Sequence, residues 1–225
     1  MSPPLLGLLL ASCGFAQVTV LTLAQSRIES RLERYEGKNE TRAGTLGSLF
    51  EEAGCSGERL TDQAVRRNRR PNLICTLKGE QDNVIVVGAH YDKVLDGDGV
   101  VDNWSGASLL PSFYESLAGQ PRRHTFVFVG FTDEEKGLVG SEYYVNSLKR
   151  NDLAKIRAMI NVDSVGLSST KVWTSRADKA LLRHLFSAAA ALKLPVAGVD
   201  VGKVGESDSH PFTNRKIPVI DIHST

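Results

Sequence analysis

Cysteine is scarce in this chain, and there is almost no bias toward charge of one sign. Only 3 Cys occur among 225 residues, and no Cys-x-x-Cys pair is present, which excludes a structural zinc knuckle. Lys and Arg number 27 against 26 Asp and Glu, for a net charge of +1, so nothing points to a nucleic acid or an acidic partner. One short basic cluster, Arg66-Arg67-Asn68-Arg69-Arg70, stands isolated and reads as a solvated surface segment. No apolar run approaches the roughly 20 residues that a membrane-spanning helix needs. Repeats and low-complexity tracts are missing as well. What is present is ordinary: 41% hydrophobic and 24% charged residues, enough to bury the core of a single domain.

The N-terminus reads as an export signal over residues 1–16, followed by one domain over 17–225. Leu5 to Ala11 is a short apolar run, and Gly14-Phe15-Ala16 offers a small-x-small cleavage site. Leu10-Ala11-Ser12-Cys13 resembles a bacterial lipobox, which makes Cys13 a candidate lipid anchor. Against both stands the lack of any Lys or Arg before Arg27, which leaves open a misplaced start or the head of a buried helix. The expectation is a protein outside the bacterial cytoplasm, secreted, periplasmic or lipid-anchored. Cys55 and Cys75 then either form a disulfide closing a loop of about twenty residues, contributing on the order of 3 kcal/mol, or remain two buried thiols.

Helical spacing predicts helices over Ser26 to Tyr35, Glu40 to Ala53 and Ala177 to Leu192. The last of these carries an apolar stripe at Leu181, Leu185, Ala188 and Leu192. Further helices are predicted over Asp102 to Leu117, with Pro111 either starting or kinking it, and over Lys136 to Leu148. Asn72 to Leu77, Val84 to Ala89, Thr125 to Phe131, Ile156 to Val162 and Ile217 to Ile222 read as strands. The segment VIVVGA is continuously apolar, as a strand covered on both faces should be. Strands alternating with helices imply an α/β fold, a three-layer sandwich with a mostly parallel central sheet and helices on both faces.

Polar residues capable of chemistry follow these strands. His90 ends VIVVGA, Glu134-Glu135 follow FVFVGFT, Asp163 follows AMINV, and Asp102 comes twelve residues after His90. In a parallel sheet, ligands gather beyond the carboxyl ends of the strands. Any one of these acids alone would pass as a helix cap or loop charge. Several carboxylates and an imidazole converging on one edge repel unless a cation sits among them, so His90, Asp102, Glu135 and Asp163 are candidate metal ligands. Adjacent Glu134 and Glu135 cannot share a role, and Glu134 is the candidate base facing an open coordination position. Asp92 lies two residues after His90, on the same face of an extended segment. It is assigned with Glu134 to the catalytic set, accepting the second ring N–H and fixing the tautomer. Asp133 reads as a loop or cap residue, and His124 and His184 read as structural.

GAHYD (88–92), DNWSG (102–106), FTDEEKGLVGS (131–141), INVDSVG (160–166) and SDSHPF with IPVI (207–220) together resemble the secreted zinc aminopeptidases of peptidase clan MH, which also contains the glutaminyl cyclases. The resemblance covers about Asn72 to the C-terminus. It implies two zinc ions held by five protein ligands: Asp102 bridging, His90 and Asp163 completing one shell, and Glu135 belonging to the other. Glu134 is then the general base, and the substrate is a peptide with a free N-terminus.

Two departures stand out. The family pattern Ser-Asp-His-x-Pro-Phe is here Ser207-Asp208-Ser209-His210-Pro211-Phe212, which puts a substrate contact by His210 in question. The family's fifth ligand is a His in a loop well past the Ile-Pro strand, whereas His223 follows Pro218 by only five residues. The expectation is a domain truncated at its C-terminus, with that ligand beyond Thr225 and one ion held if it is absent; the competing reading makes His223 the ligand. Rival functions are a one-zinc glutaminyl cyclase-like acyltransferase and a non-catalytic binding module on the same fold. Trp104 and Phe212 either line the substrate pocket or pack in the core.

Overall fold

The computed structural model describes residues 22–65, 70–200 and 205–225. The export signal, the lipobox with Cys13, and all of the basic cluster except Arg70 lie outside the described residues. The helices are α1 (Gln25–Leu32), α2 (Asn39–Glu52), α3 (Ser105–Ala118), α4 (Val139–Ser147), α5 (Arg150–Leu153), α6 (Lys179–Leu192) and α7 (His210–Asn214). The strands are β1 (Leu60–Gln63), β2 (Asn72–Leu77), β3 (Gln81–His90), β4 (His124–Phe131), β5 (Ile156–Val162), β6 (Thr170–Trp173), β7 (Val196–Val199) and β8 (Val219–His223).

These strands form one sheet in the order β1-β2-β4-β3-β5-β8-β6-β7. Its centre, β4-β3-β5-β8, runs parallel, while β1, β2 and the β6–β8 pairing are antiparallel. The apolar strands divide their side chains between two cores, because successive residues point to opposite faces. Val87, Ala89 and Phe128 face α2 and α3, packing with Leu46, Phe50, Leu110 and Tyr114. Val86, Val127, Val129 and Phe131 face α4 and α7, packing with Tyr144, Val145 and Phe212. That division is why VIVVGA shows no alternation in sequence: both faces are covered. Gly88 allows the close approach, since a Cβ there would meet Phe131 Cε2 at 2.4 Å.

The helix predicted from Asp102 instead begins at Ser105 and carries Pro111 in its interior. An irregular turn over 100–104 precedes it, with a cis Asp102–Asn103 peptide. Burial of Pro111 in the packed helix offsets the backbone hydrogen bond it cannot donate. The helix predicted from Lys136 starts at Val139, because Gly137 and Leu138 take left-handed conformations (φ 97° and 59°) that no α-helix accommodates. In α6, Asp178 caps the N-terminus by accepting from Ala180 N and Leu181 N at 2.8 and 3.1 Å. Its inward stripe runs through Leu181, Leu185 and buried Ala189, while Ala188 and Leu192 are exposed. The packed face is therefore rotated from the predicted one. Cys55 and Cys75 form a disulfide, Cα–Cα 6.3 Å, that joins the end of α2 to β2 across a sequence separation of 20.

Candidate metal centre

Strand register brings the functional residues level. His90 pairs with Phe131 and Gly88 pairs with Asn161, so β3, β4 and β5 end at one edge. His90 is the last residue of β3. Glu134 and Glu135 lie in the turn after β4, and Asp163 directly follows β5. Asp102 arrives from the turn before α3, and Asn103 fixes that turn to β5. Its Nδ2 donates to Val162 O (3.0 Å), and its Oδ1 accepts from Gly106 N (3.0 Å) and Ser164 N (3.1 Å). A Cβ on Gly106 would come within 2.4 Å of Val162 O. The DNWSG segment thus needs both its Asn and its Gly to seat Asp102 beside Asp163.

The buried His90 ring is the hub. Its Nε2 lies 3.1 Å from Asp102 Oδ1, 3.7 Å from Asp163 Oδ1 and 3.9 Å from Glu134 Oε2. Ligand atoms of His90, Asp102 and Asp163 lie within 4.8 Å of one another, as do those of His90, Glu134 and Glu135. The cleft above them measures about 380 Å³ and is also bounded by Ser164 and Glu206. All the sequence-predicted ligands and the base meet here.

Asp92 lies beside the His90 ring, as expected, and makes further contacts. Its carboxylate lies 3.5 Å from His90 Nδ1, a looser contact than a well-formed hydrogen bond. The two carboxylate oxygens also accept from Glu134 N at 3.0 Å and Glu135 N at 3.3 Å. Asp92 is thus an electrostatic neighbour of the ring and the anchor of the Glu134-Glu135 turn. Asp133, left-handed at φ 51°, is ion-paired with Arg70 and Lys136.

Crowding shows in the proton affinities. Burial opposes charge on His90, yet the surrounding Asp102, Asp163 and Asp92 carboxylates hold its pKa well above the ordinary value. Burial first, then Asp208, Asp163 and Glu135, outweighs the pull of His90 and pushes Glu134 up to about 8. Glu135 is raised by burial and by Asp102. Asp92 and Asp163 stay below the usual carboxylate range, because the neighbouring His90 outweighs their burial. Asp208, wholly buried, is pushed up to about 7. It belongs to the SDSHPF motif, and nothing in the sequence distinguished it from a helix-capping acid.

An imidazole nitrogen and several carboxylate oxygens around one gap form the donor set that zinc takes. A divalent cation would also offset the burial and the neighbouring carboxylates that raise the proton affinity of Glu134 and Glu135. The residues fit the metal.

Other predicted residues fall elsewhere. Trp104 is wholly buried, with Nε1 3.4 Å from Arg31 O, and Phe212 packs on Phe131 and Tyr144, so both serve the core. His210 opens α7 without lining the cleft, and Ser209 holds the position after Asp208, donating to Asp221 Oδ2 at 2.8 Å. His223 ends β8 with its ring on Trp173 at 5.3 Å, and among the described residues it joins neither group of close-set ligand atoms.

Known proteins resemble this chain in sequence and fold. Leupeptin-inactivating enzyme 1 of Streptomyces exfoliatus is 35% identical over 149 residues, 65% of this chain and 34% of that protein. The chain therefore spans about a third of that relative's length. The zinc aminopeptidase BSAP of Bacillus subtilis superposes with TM-score 0.64 at 27% identity, covering 69% of this chain and 40% of its own. A glutaminyl cyclase from an Acidobacteriales bacterium shares the fold, with TM-score 0.71 at 20% identity, covering 92% and 81%. Peptidase family M28 matches residues 72–225. With the parallel sheet and its edge of His and carboxylates in place, the chain belongs to peptidase family M28.

Proposed function

We propose that this protein is a zinc-dependent aminopeptidase that removes N-terminal residues from peptides through a two-metal site. The observation that carries the reading is the convergence on His90 Nε2 of Asp102, Asp163 and Glu134 within 3.1–3.9 Å, with Glu135 beside them. His90, Asp102 and Asp163 would hold one ion, and Asp102 with Glu135 the other. Zinc bound there supplies a Lewis acid that brings the pKa of a water near 7 and polarises the peptide carbonyl.

The rest is done by the chain. Glu134 is not needed as a donor to either ion, and it lines the cleft, where a carboxylate can serve as the base. It takes the proton from the attacking water and delivers it to the leaving amine. Asp92 holds the backbone of Glu134 and Glu135 together, so base and ligand keep their spacing. The carboxylate-rich cleft suits a substrate whose N-terminus is a free ammonium. Action outside the cytoplasm is supported by the Cys55–Cys75 disulfide. Among the described residues no helix is long and apolar enough to cross a membrane.

Zinc content and hydrolysis of leucine- and alanine-p-nitroanilide test the reading, on this chain and on Glu134→Ala. The expected result is about two zinc per chain and activity that falls about 10²–10⁴-fold in the variant. Cyclisation of an N-terminal glutamine peptide without p-nitroaniline release would make it an acyltransferase, and a folded chain binding no zinc would make it a binding module.

A further inference from the structure

Helix α2 lies outside the stretch matched to the family, yet two of its residues grip the loop between the metal ligands. Arg42 is wholly buried, and its hydrogen bonds end on main-chain carbonyls. Nε donates to Glu36 O (2.7 Å), Nη1 to Tyr91 O (3.1 Å) and Gly99 O (3.2 Å), and Nη2 to Asp98 O and Gly99 O (3.2 Å). The guanidinium lies over Trp104 at 5.7 Å. Tyr91 is the residue between His90 and Asp92, and Gly99 O also accepts from Trp104 N (3.1 Å), just past Asp102. Asn39, one turn earlier, pairs with Lys93 in both directions: its Oδ1 accepts from Lys93 N (2.9 Å) and its Nδ2 donates to Lys93 O (2.8 Å).

We propose that Arg42, aided by Asn39, is a positioning residue for the metal centre, fixing the distance between the His90–Asp92 segment and Asp102. Burying a guanidinium away from water is costly, and an apolar side chain would fill the space. What an apolar residue could not do is tie carbonyls from two ends of a loop with one rigid fork of donors. Gly99 is shaped to this contact: it is left-handed at φ 56°, and a Cβ there would lie 3.0 Å from Arg42 Nη2 and 2.4 Å from Lys93 Cβ. Lysine at position 42 would keep the charge and lose the fork.

This inference rests on the metal reading above. Cobalt(II) titration of the metal-free chain, followed by visible absorption, tests it with a readout besides turnover. Arg42→Lys is expected to weaken cobalt affinity about 10–100-fold, the usual effect of removing a group that orients ligands. Phe128→Leu, a core change three strand residues back from the His90–Phe131 pair, serves as the control for lost stability and should leave affinity within about 2-fold, since about 10 Å of strand separates it from the site. Arg42→Ala should regain affinity when guanidinium ion is added at millimolar levels. If the position 42 variants do not fold, Asn39→Ala carries the test, with a several-fold weakening expected. Wild-type affinity in a folded Arg42→Lys, or in Asn39→Ala where only that variant folds, overturns the proposal alone. A wild-type chain that takes up no cobalt overturns the metal reading and this proposal with it.

Discussion

Replacing Glu134 with Gln should abolish activity and at the same time stabilise the metal-free chain at alkaline pH. The carboxyl is pushed up to about 8 when folded, against 4.5 ordinarily, chiefly by burial and then by Asp208, Asp163 and Glu135. Below pH 4.5 both folded and unfolded chains bind the proton, so the group contributes nothing. Between 4.5 and about 8 the unfolded chain releases it and the folded chain keeps it, so stability falls as pH rises. Above that range the loss is complete. At about 1.4 kcal/mol per pH unit, the upper bound is about 5 kcal/mol. The side chain is 13% exposed, and water entry with local relaxation brings the expected loss to about 2–4 kcal/mol. Glutamine keeps the shape and never ionises.

Urea unfolding of both chains in excess chelator, at pH 4.5 and pH 8.5, measures the difference directly. At pH 4.5 the two curves should nearly coincide, and at pH 8.5 the variant should be the more stable. Zinc reverses the order of merit, because turnover depends on the base and should drop about 10²–10⁴-fold in the variant. A variant with no pH-dependent advantage would refute the claim that burial among other carboxylates raises the proton affinity of Glu134. A variant retaining most of its activity would refute Glu134 as the base.

Asn103→Ala should cost about 2–4 kcal/mol in urea midpoint experiments, since it strands the buried Val162 O and the Gly106 and Ser164 amides, and zinc affinity should fall with it. Reducing the Cys55–Cys75 bond should lower stability by about 3 kcal/mol, read as a shift in denaturation midpoint with and without dithiothreitol. Chelation of a zinc-loaded chain should remove aminopeptidase activity and lower the melting temperature by an amount that grows with the free zinc concentration of the reference sample, as linkage requires; a melting temperature indifferent to zinc would count against a native-state site.

Residue order alone was enough to locate the central strands and the polar residues that gather at their ends. Long apolar runs such as Val84–Ala89 and Ile156–Val162 can be satisfied only by burial on both faces, and polar residues placed where such runs stop have one sheet edge to share. His90, Glu134, Glu135 and Asp163 were legible for that reason, whereas Asp102 comes from the turn before α3 and was picked out by its place in DNWSG. The short strands β1, β6 and β7 were not, because four residues each carry too little periodicity to separate strand from loop. The orientation of α6 escaped for a related reason: several stripes of its Leu and Ala residues are nearly equivalent, and only the sheet beneath selects one. Asp92 does lie beside the His90 ring, but its amide donors come from a turn forty-two residues away and could not be read from the sequence. Arg42 was invisible, because a helical arginine normally points to water. Contacts that join segments distant in sequence are decided by packing, and here packing decided that Asp92 anchors the Glu134-Glu135 turn and that Arg42 ties Tyr91 to Gly99.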